Sequence, residues 1–253
     1  MIPGIVSTNS DPLKEADMRR ILIFGLSLLS AASAAFSFET VKDLRLPADG
    51  LKRISVIAGA GSLSIVGVEG LSAIEVRAQI VVRGVSEKRI ESYLKDHLRL
   101  SLEKNGEEAV LTGEIENNGF SFFSPGNAYV DLTVRVPRGL ALAVDDGSGG
   151  MTIEKIKGDV FIDDGSGSMT ISDIEGNLKI VDGSGDIEVR NVTGDVKIDD
   201  GSGSLEVIHV GGGVTVDDGS GSIRVEDVAR DLILESTGSG GLHTSGIRGR
   251  IVR

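Results

Sequence analysis

A Gly-Ser-Gly triplet starts at Gly147, Gly165, Gly183, Gly201 and Gly219, a constant spacing of 18 residues. A fixed period of this size means stacked coils, each repeat one supersecondary unit. With the first Gly as position 1, position 5 holds Met151, Met169, Ile187, Leu205 and Ile223, and position 7 holds Ile153, Ile171, Val189, Val207 and Val225. Two-residue alternation of apolar, mostly β-branched residues predicts a short strand with these side chains turned inward. Position 10 is always Ile or Val, and position 12 is Gly158, Gly176, Gly194 and Gly212 before Arg230 breaks the series, which places a second turn there. Positions 14 and 16 are apolar again (Leu178 and Ile180, Val196 and Ile198), giving a second strand. Ordering one coil costs more conformational entropy than its few inward side chains return, so coils are expected to fold only as an array.

Two solenoids with related periods do not fit. A hexapeptide helix needs a third apolar side, but position 4 holds Gly150, Ser168, Asp186, Ser204 and Ser222. The calcium-binding nonapeptide would put its ligand Asp where Met151, Met169, Ile187, Leu205 and Ile223 stand. The expected fold is all-β, a right-handed parallel β-helix (β-solenoid) of 18-residue coils, because parallel crossovers are right-handed. A sixth, partial coil follows if Thr237 is an insertion, since Gly238-Ser239-Gly240-Gly241-Leu242 restores the pattern and Ile251 ends it.

Residues 35–144 are read as a region of wider coils continuous with the repeat solenoid of 145–253. Ala58-Gly59-Ala60-Gly61-Ser62-Leu63-Ser64-Ile65 echoes the repeat, and Ile74, Val76 and Ile80 continue the alternation. Ile90, Tyr93, Leu94 and Leu98 have helical spacing, predicting one helix over 86–98 with Ser86 as its cap. Asn105-Gly106 between two alternating runs predicts a hairpin. Wide first coils, a helix and hairpin, an alternating segment closed by Pro (Leu132, Val134, Val136, Pro137) and then Asp-Gly-Ser-Gly coils resemble the bacterial putative adhesin domain family of unknown function, over roughly residues 40–253. That resemblance implies a β-helix-like envelope protein without an established activity, and brings no catalytic residues with it.

Met18-Arg19-Arg20, the apolar run Ile21 to Leu29 and Ala32-Ser33-Ala34 are the three parts of a secretory signal peptide, with cleavage expected after Ala34. The run is too short for a spanning helix, so residues 18–34 are read as a signal, residues 1–17 as an upstream extension of the true start, and the mature chain as free of membrane spans. The expected address is outside the cytoplasm, periplasmic or secreted. With 38 acidic and 26 basic residues the chain carries −12, which disfavours nucleic acid. The absence of Cys excludes disulfides, thiolate metal sites and Cys nucleophiles.

Asp146, Asp164, Asp182, Asp200 and Asp218 form a strict column, preceded by Asp145, Asp163, Asp199 and Asp217, with Val181 interrupting the second series. Two explanations stand: each Asp accepts a hydrogen bond from the Gly-Ser backbone behind it as an Asx-turn, or the column binds a cation such as calcium. Phe120, Phe122, Phe123 and Tyr129 are either a cap over the apolar interior or a contact loop for an envelope or surface protein or a glycan. Residues 145–236 hold 21 acidic and 7 basic side chains, whereas 237–253 hold only Arg248, Arg250 and Arg253. That basic last coil either blunts an open edge or docks on an acidic flank of a second copy. His97, His209 and His243 lack metal-ligand spacing, and Gly-Ser-Gly followed by strands is neither a nucleophile elbow nor a phosphate loop. The function expected is a non-catalytic binding or scaffold module, with no cofactor required; a calcium-binding envelope protein and a polysaccharide-active β-helix enzyme are the alternatives.

Overall fold

The computed structural model describes residues 37–116 and 128–253. The N-terminal half contributes β1 (Ser37–Pro47), β2 (Arg53–Ala60), β3 (Leu63–Val68), β4 (Ala73–Arg83), α1 (Glu87–His97), β5 (Leu98–Asn105), β6 (Glu108–Ile115), β7 (Ala128–Pro137) and β8 (Ala141–Ser148). The repeats contribute β9 (Met151–Glu154), β10 (Val160–Asp164), β11 (Met169–Ile174), β12 (Leu178–Asp182), β13 (Ile187–Val192), β14 (Val196–Asp200), β15 (Leu205–Val210), β16 (Val214–Asp218), β17 (Ile223–Val228) and β18 (Leu232–Thr237). β19 (Leu242–Ser245) and β20 (Ile251–Val252) close the chain. The strands form two sheets of 10, ordered β1-β4-β7-β3-β9-β11-β13-β15-β17-β19 and β20-β18-β16-β14-β12-β10-β8-β2-β6-β5.

Through the repeats every pairing is parallel and equivalent residues face one another: Met151, Met169, Ile187, Leu205 and Ile223 on one sheet, Val160, Leu178, Val196 and Val214 on the other. The alternation read from the sequence is the burial pattern found, and the inward side chains of both sheets make one continuous cluster. Ala58-to-Leu63 sits beneath the first repeat as its echo implies, with Ala58 opposite Asp146 and Leu63 opposite Met151.

Both sheets are mixed rather than wholly parallel. β1 runs antiparallel to β4 and β4 to β7, while β5 and β6 form the antiparallel hairpin expected at Asn105-Gly106, where Gly106 has φ +64°. Pairing of Ser37 with Arg83 is a long-range choice for which the sequence carries no local sign. The helix covers 87–97, and Ser86 precedes it without a side-chain cap; its hydroxyl instead accepts from Arg89 Nε at 3.2 Å. The extra residue near the last coil is Glu235, not Thr237: Val216 faces Leu234, then Asp217 faces Ser236 and Asp218 faces Thr237.

The Gly-Ser-Gly corners stack as tightly as the strands. Ser166, Ser184 and Ser202 carbonyls accept the N–H groups of Gly149, Gly167 and Gly185 at 2.9–3.0 Å. Gly167 has φ +140°, and a Cβ there would sit 1.7 Å from the Gly149 carbonyl oxygen, so both backbone angle and stacking demand glycine. Besides this corner and the turn expected at position 12, each coil has a bend at position 9 that the sequence reading did not contain. Lys155, Asp173, Asn191, His209 and Asp227, one per coil, all take φ between 54° and 62°. This left-handed residue bends each strand, so that Ile156, Ile174, Val192, Val210 and Val228 turn inward after it.

Candidate functional site: a buried aspartate column

Asp164, Asp182, Asp200 and Asp218 end β10, β12, β14 and β16, and Asp146 lies two residues before the end of β8; each stands two residues beyond the buried Val144, Ile162, Ile180, Ile198 or Val216. Strand parity therefore turns their carboxyls inward. They are 0–4% exposed and are the buried polar or charged residues among those described. Register pairs each with the next, about one strand spacing of 4.8 Å away. Ala58 and Thr237 end the column on either side.

The Asx-turn reading accounts for part of this geometry. Ser202 N–H donates to Asp200 Oδ1 at 3.0 Å, and backbone dipoles at Ser166, Ser184 and Ser220 pull the neighbouring carboxyls toward ionisation. Oδ2 of Asp146 and of Asp200, and both oxygens of Asp164, Asp182 and Asp218, are buried without a hydrogen-bond partner. Such groups are exceptional in folded proteins and call for an explanation. Burial first, and for Asp164, Asp182 and Asp200 the charge of the preceding column Asp next, pushes Asp146, Asp164, Asp182 and Asp200 from the ordinary 3.8 up to about 6. Asp218 is raised by burial as well. Two adjacent full charges would repel by about 3.5 kcal/mol at an effective dielectric of about 20.

The other acidic series behaves differently. Asp145, Asp163 and Asp199 point outward and are exposed, with Asp217 half-buried. At the following turn, Asp159 Oδ1 accepts from Asn177 N–H at 2.8 Å, Asn177 Oδ1 from Asp195 N–H at 2.9 Å, and Asp195 Oδ1 from Gly213 N–H at 2.8 Å. These turn side chains clip one coil to the next, a job the inward column does not share. Among the described residues no three His, Cys, Asp or Glu side chains gather around a point that could hold a metal ion.

The remaining candidates are dispersed. Phe120, Phe122 and Phe123 lie outside the described residues; Tyr129 is half-buried on β7, with the Arg83 guanidinium 5.8 Å from its ring centre. His97 lies 3.0 Å from the Glu116 carbonyl, His209 3.2 Å from Asp227 and His243 3.3 Å from Glu226, each in a separate place. Arg250 binds Asp231 through backbone and guanidinium at 2.8 Å. The sequence reading missed a groove of about 1030 Å³ along the outer face of β8 to β18, lined by Phe161, Lys179, Lys197, Thr215 and Ile233. Its signal was in the sequence as the outward residue between positions 14 and 16, where Phe161, Lys179, Lys197 and Ile233 form a column of long or apolar side chains.

No curated protein matches the chain in sequence. Among solved structures it is similar to a putative cell adhesion protein from Clostridium sporogenes, at 13% identity and TM-score 0.33, covering 85% of this chain and 98% of that one. It is likewise similar to a putative adhesin from Bacteroides fragilis, at 13% identity and TM-score 0.30, covering 85% and 96%. Residues 72–238, more than half of the chain, match the pattern described as Toastrack DUF4097. The chain belongs to the Toastrack family, DUF4097.

Proposed function

We propose that the protein is an exported cell-envelope module that works by surface contact, as an adhesin-like binding or scaffold element, with its strands wound as one right-handed coil of 18 residues per turn. The observation that carries this reading is the outer groove. Repetition at one register turns single side chains into a strip crossing six strands, with Phe161 38% and Ile233 39% exposed and Lys179 and Lys197 side by side on paired strands. Lys179 lies 5.1 Å from the Phe161 ring centre, so a cation and an aromatic face are offered together. Extended partners, an envelope protein strand or a glycan chain, suit such a strip better than a compact small molecule. Family membership supports a module of this kind, and the Met18-to-Ala34 pattern supports export.

Labelled protein applied to envelope preparations should bind saturably, and Phe161→Ala with Lys179→Ala should weaken that binding at least tenfold while leaving the unfolding free energy within about 1 kcal/mol of the parent. Binding unchanged by the double substitution would remove the groove from the reading. N-terminal sequencing of the exported chain should begin at Ala35.

A further inference from the structure

The column of inward aspartates is unlike the other charged features among the described residues. Every charged group acting on it is acidic: its own neighbours along the column, and Asp145, Asp163, Asp199 and Asp217 on the outer side of the same strands. Lys179 and Lys197, on two of those strands, belong to the outer face. The inward residues of the opposite sheet are Met151, Met169, Ile187, Leu205 and Ile223 and the Ile or Val two places after each, none of which can pair with a carboxylate. Asp186, in the adjoining corner, is exposed and occupied by the Ser204 N–H at 2.9 Å. A calcium ion needs six to eight oxygens, and one inward carboxyl per step, with backbone N–H donors and apolar side chains around it, does not assemble them.

We propose that the column is a proton-loaded ladder, in which inward carboxyls of successive coils hold protons taken from solvent on folding, so that the repeat array tightens as its surroundings acidify. A protonated carboxyl offers an O–H donor to the oxygen of the next coil, turning the repulsion of two charges into a hydrogen bond. The protons are released to water when the array unfolds, so no other reactant is involved. Because folding raises these pKa values, the stabilisation is fully present below the ordinary 3.8 and is lost as pH rises through about 6. An exported solenoid carrying five such groups would sense mild acidity along its whole length.

The test is urea unfolding of the full chain at pH 7 and pH 5, in EDTA and in millimolar calcium. The ladder predicts a folding constant larger at pH 5 by about tenfold for each independently titrating column Asp, and no calcium effect. Asp182→Asn, which keeps an acceptor oxygen but cannot titrate, should lose a full column member's share of that gain, while the outward Asp199→Asn, which removes only a charge beside Asp200, keeps most of it. Equal pH responses in these two variants would overturn the ladder, since the gain would then be relief of general negative charge. So would a midpoint raised by calcium at pH 7, which would make the column a cation site. If Asp182→Asn does not fold, carboxyl carbon NMR of the unaltered chain decides. Column groups titrating near pH 6 support the ladder, and all aspartates titrating in their ordinary range overturn it.

Discussion

The repeat array and the N-terminal half solve the same problem, covering an apolar interior with strands, by opposite means. From β9 to β18 each coil is a copy, and whatever one residue does is done again at the same place on every step. Glycine corners, left-handed corners and inward aspartates become columns, and a favourable or unfavourable contact is multiplied along the stack. From β1 to β7 the chain uses antiparallel edges, a hairpin and a helix, and its polar groups are settled by local contacts such as Lys52 with Glu107 at 2.8 Å and Arg99 with Glu116 at 2.9 Å. Repetition makes a long uniform surface but removes the freedom to repair one position alone.

The contrast is sharpest at glycine. Gly185 has φ +152° and a Cβ there would lie 1.8 Å from the Gly167 carbonyl oxygen, whereas the hairpin Gly106, with φ +64°, faces open space. Gly185→Ala should cost more than about 4 kcal/mol or prevent folding, and Gly106→Ala about 1 kcal/mol, both read by urea unfolding. Similar losses at the two sites would mean that stacking does not constrain the corner. The left-handed column gives the opposite sign: His209, at φ +61°, and Lys155, at φ +62°, are strained where Asn191, at φ +59°, is tolerated. His209→Gly should therefore raise stability by about 1 kcal/mol while Asn191→Gly changes it little. In the N-terminal half, the Tyr93 hydroxyl is buried without a partner once rather than five times, and Tyr93→Phe should stabilise by up to about 1 kcal/mol in thermal unfolding. The smallest effect is expected at the exposed Arg135–Glu75 pair, where Arg135→Ala should cost less than about 1 kcal/mol and lose its effect in high salt.

The strands of the array were legible because parity and period act on the same residues: Leu178 and Ile180 are inward in every coil's equivalent, and the register between coils follows from identity. The same parity, carried two residues beyond Ile180, puts Asp182 inward, so the burial of the column was present in the sequence although the count stopped at position 16. The left-handed corner was not legible. Asp173, Asn191 and Asp227 are of the types that tolerate this region, but Lys155 and His209 stand in the same column, and the bend is imposed by the need to return an apolar residue to the interior. Nor were the antiparallel edges, since the pairing of β1 with β4 joins residues from Pro47 with Ala73 to Ser37 with Arg83, across the intervening β2 and β3. The helix was legible through its spacing, with Ile90 buried, but its cap was not, because Ser86 uses its hydroxyl on Arg89 instead.

The account rests on residues eighteen apart lying opposite one another in parallel, and the chain contains no cysteine to interfere with a direct test. Thr170→Cys with Glu188→Cys places two thiols on directly opposed residues of β11 and β13, within the reach of a disulfide. Mild oxidation should cross-link that pair completely, and should leave Thr170→Cys with Arg190→Cys, two residues out of register, largely reduced. Equal cross-linking of the two pairs, or cross-linking of the second alone, would contradict the stacked register on which the columns, the groove and the proton ladder all depend.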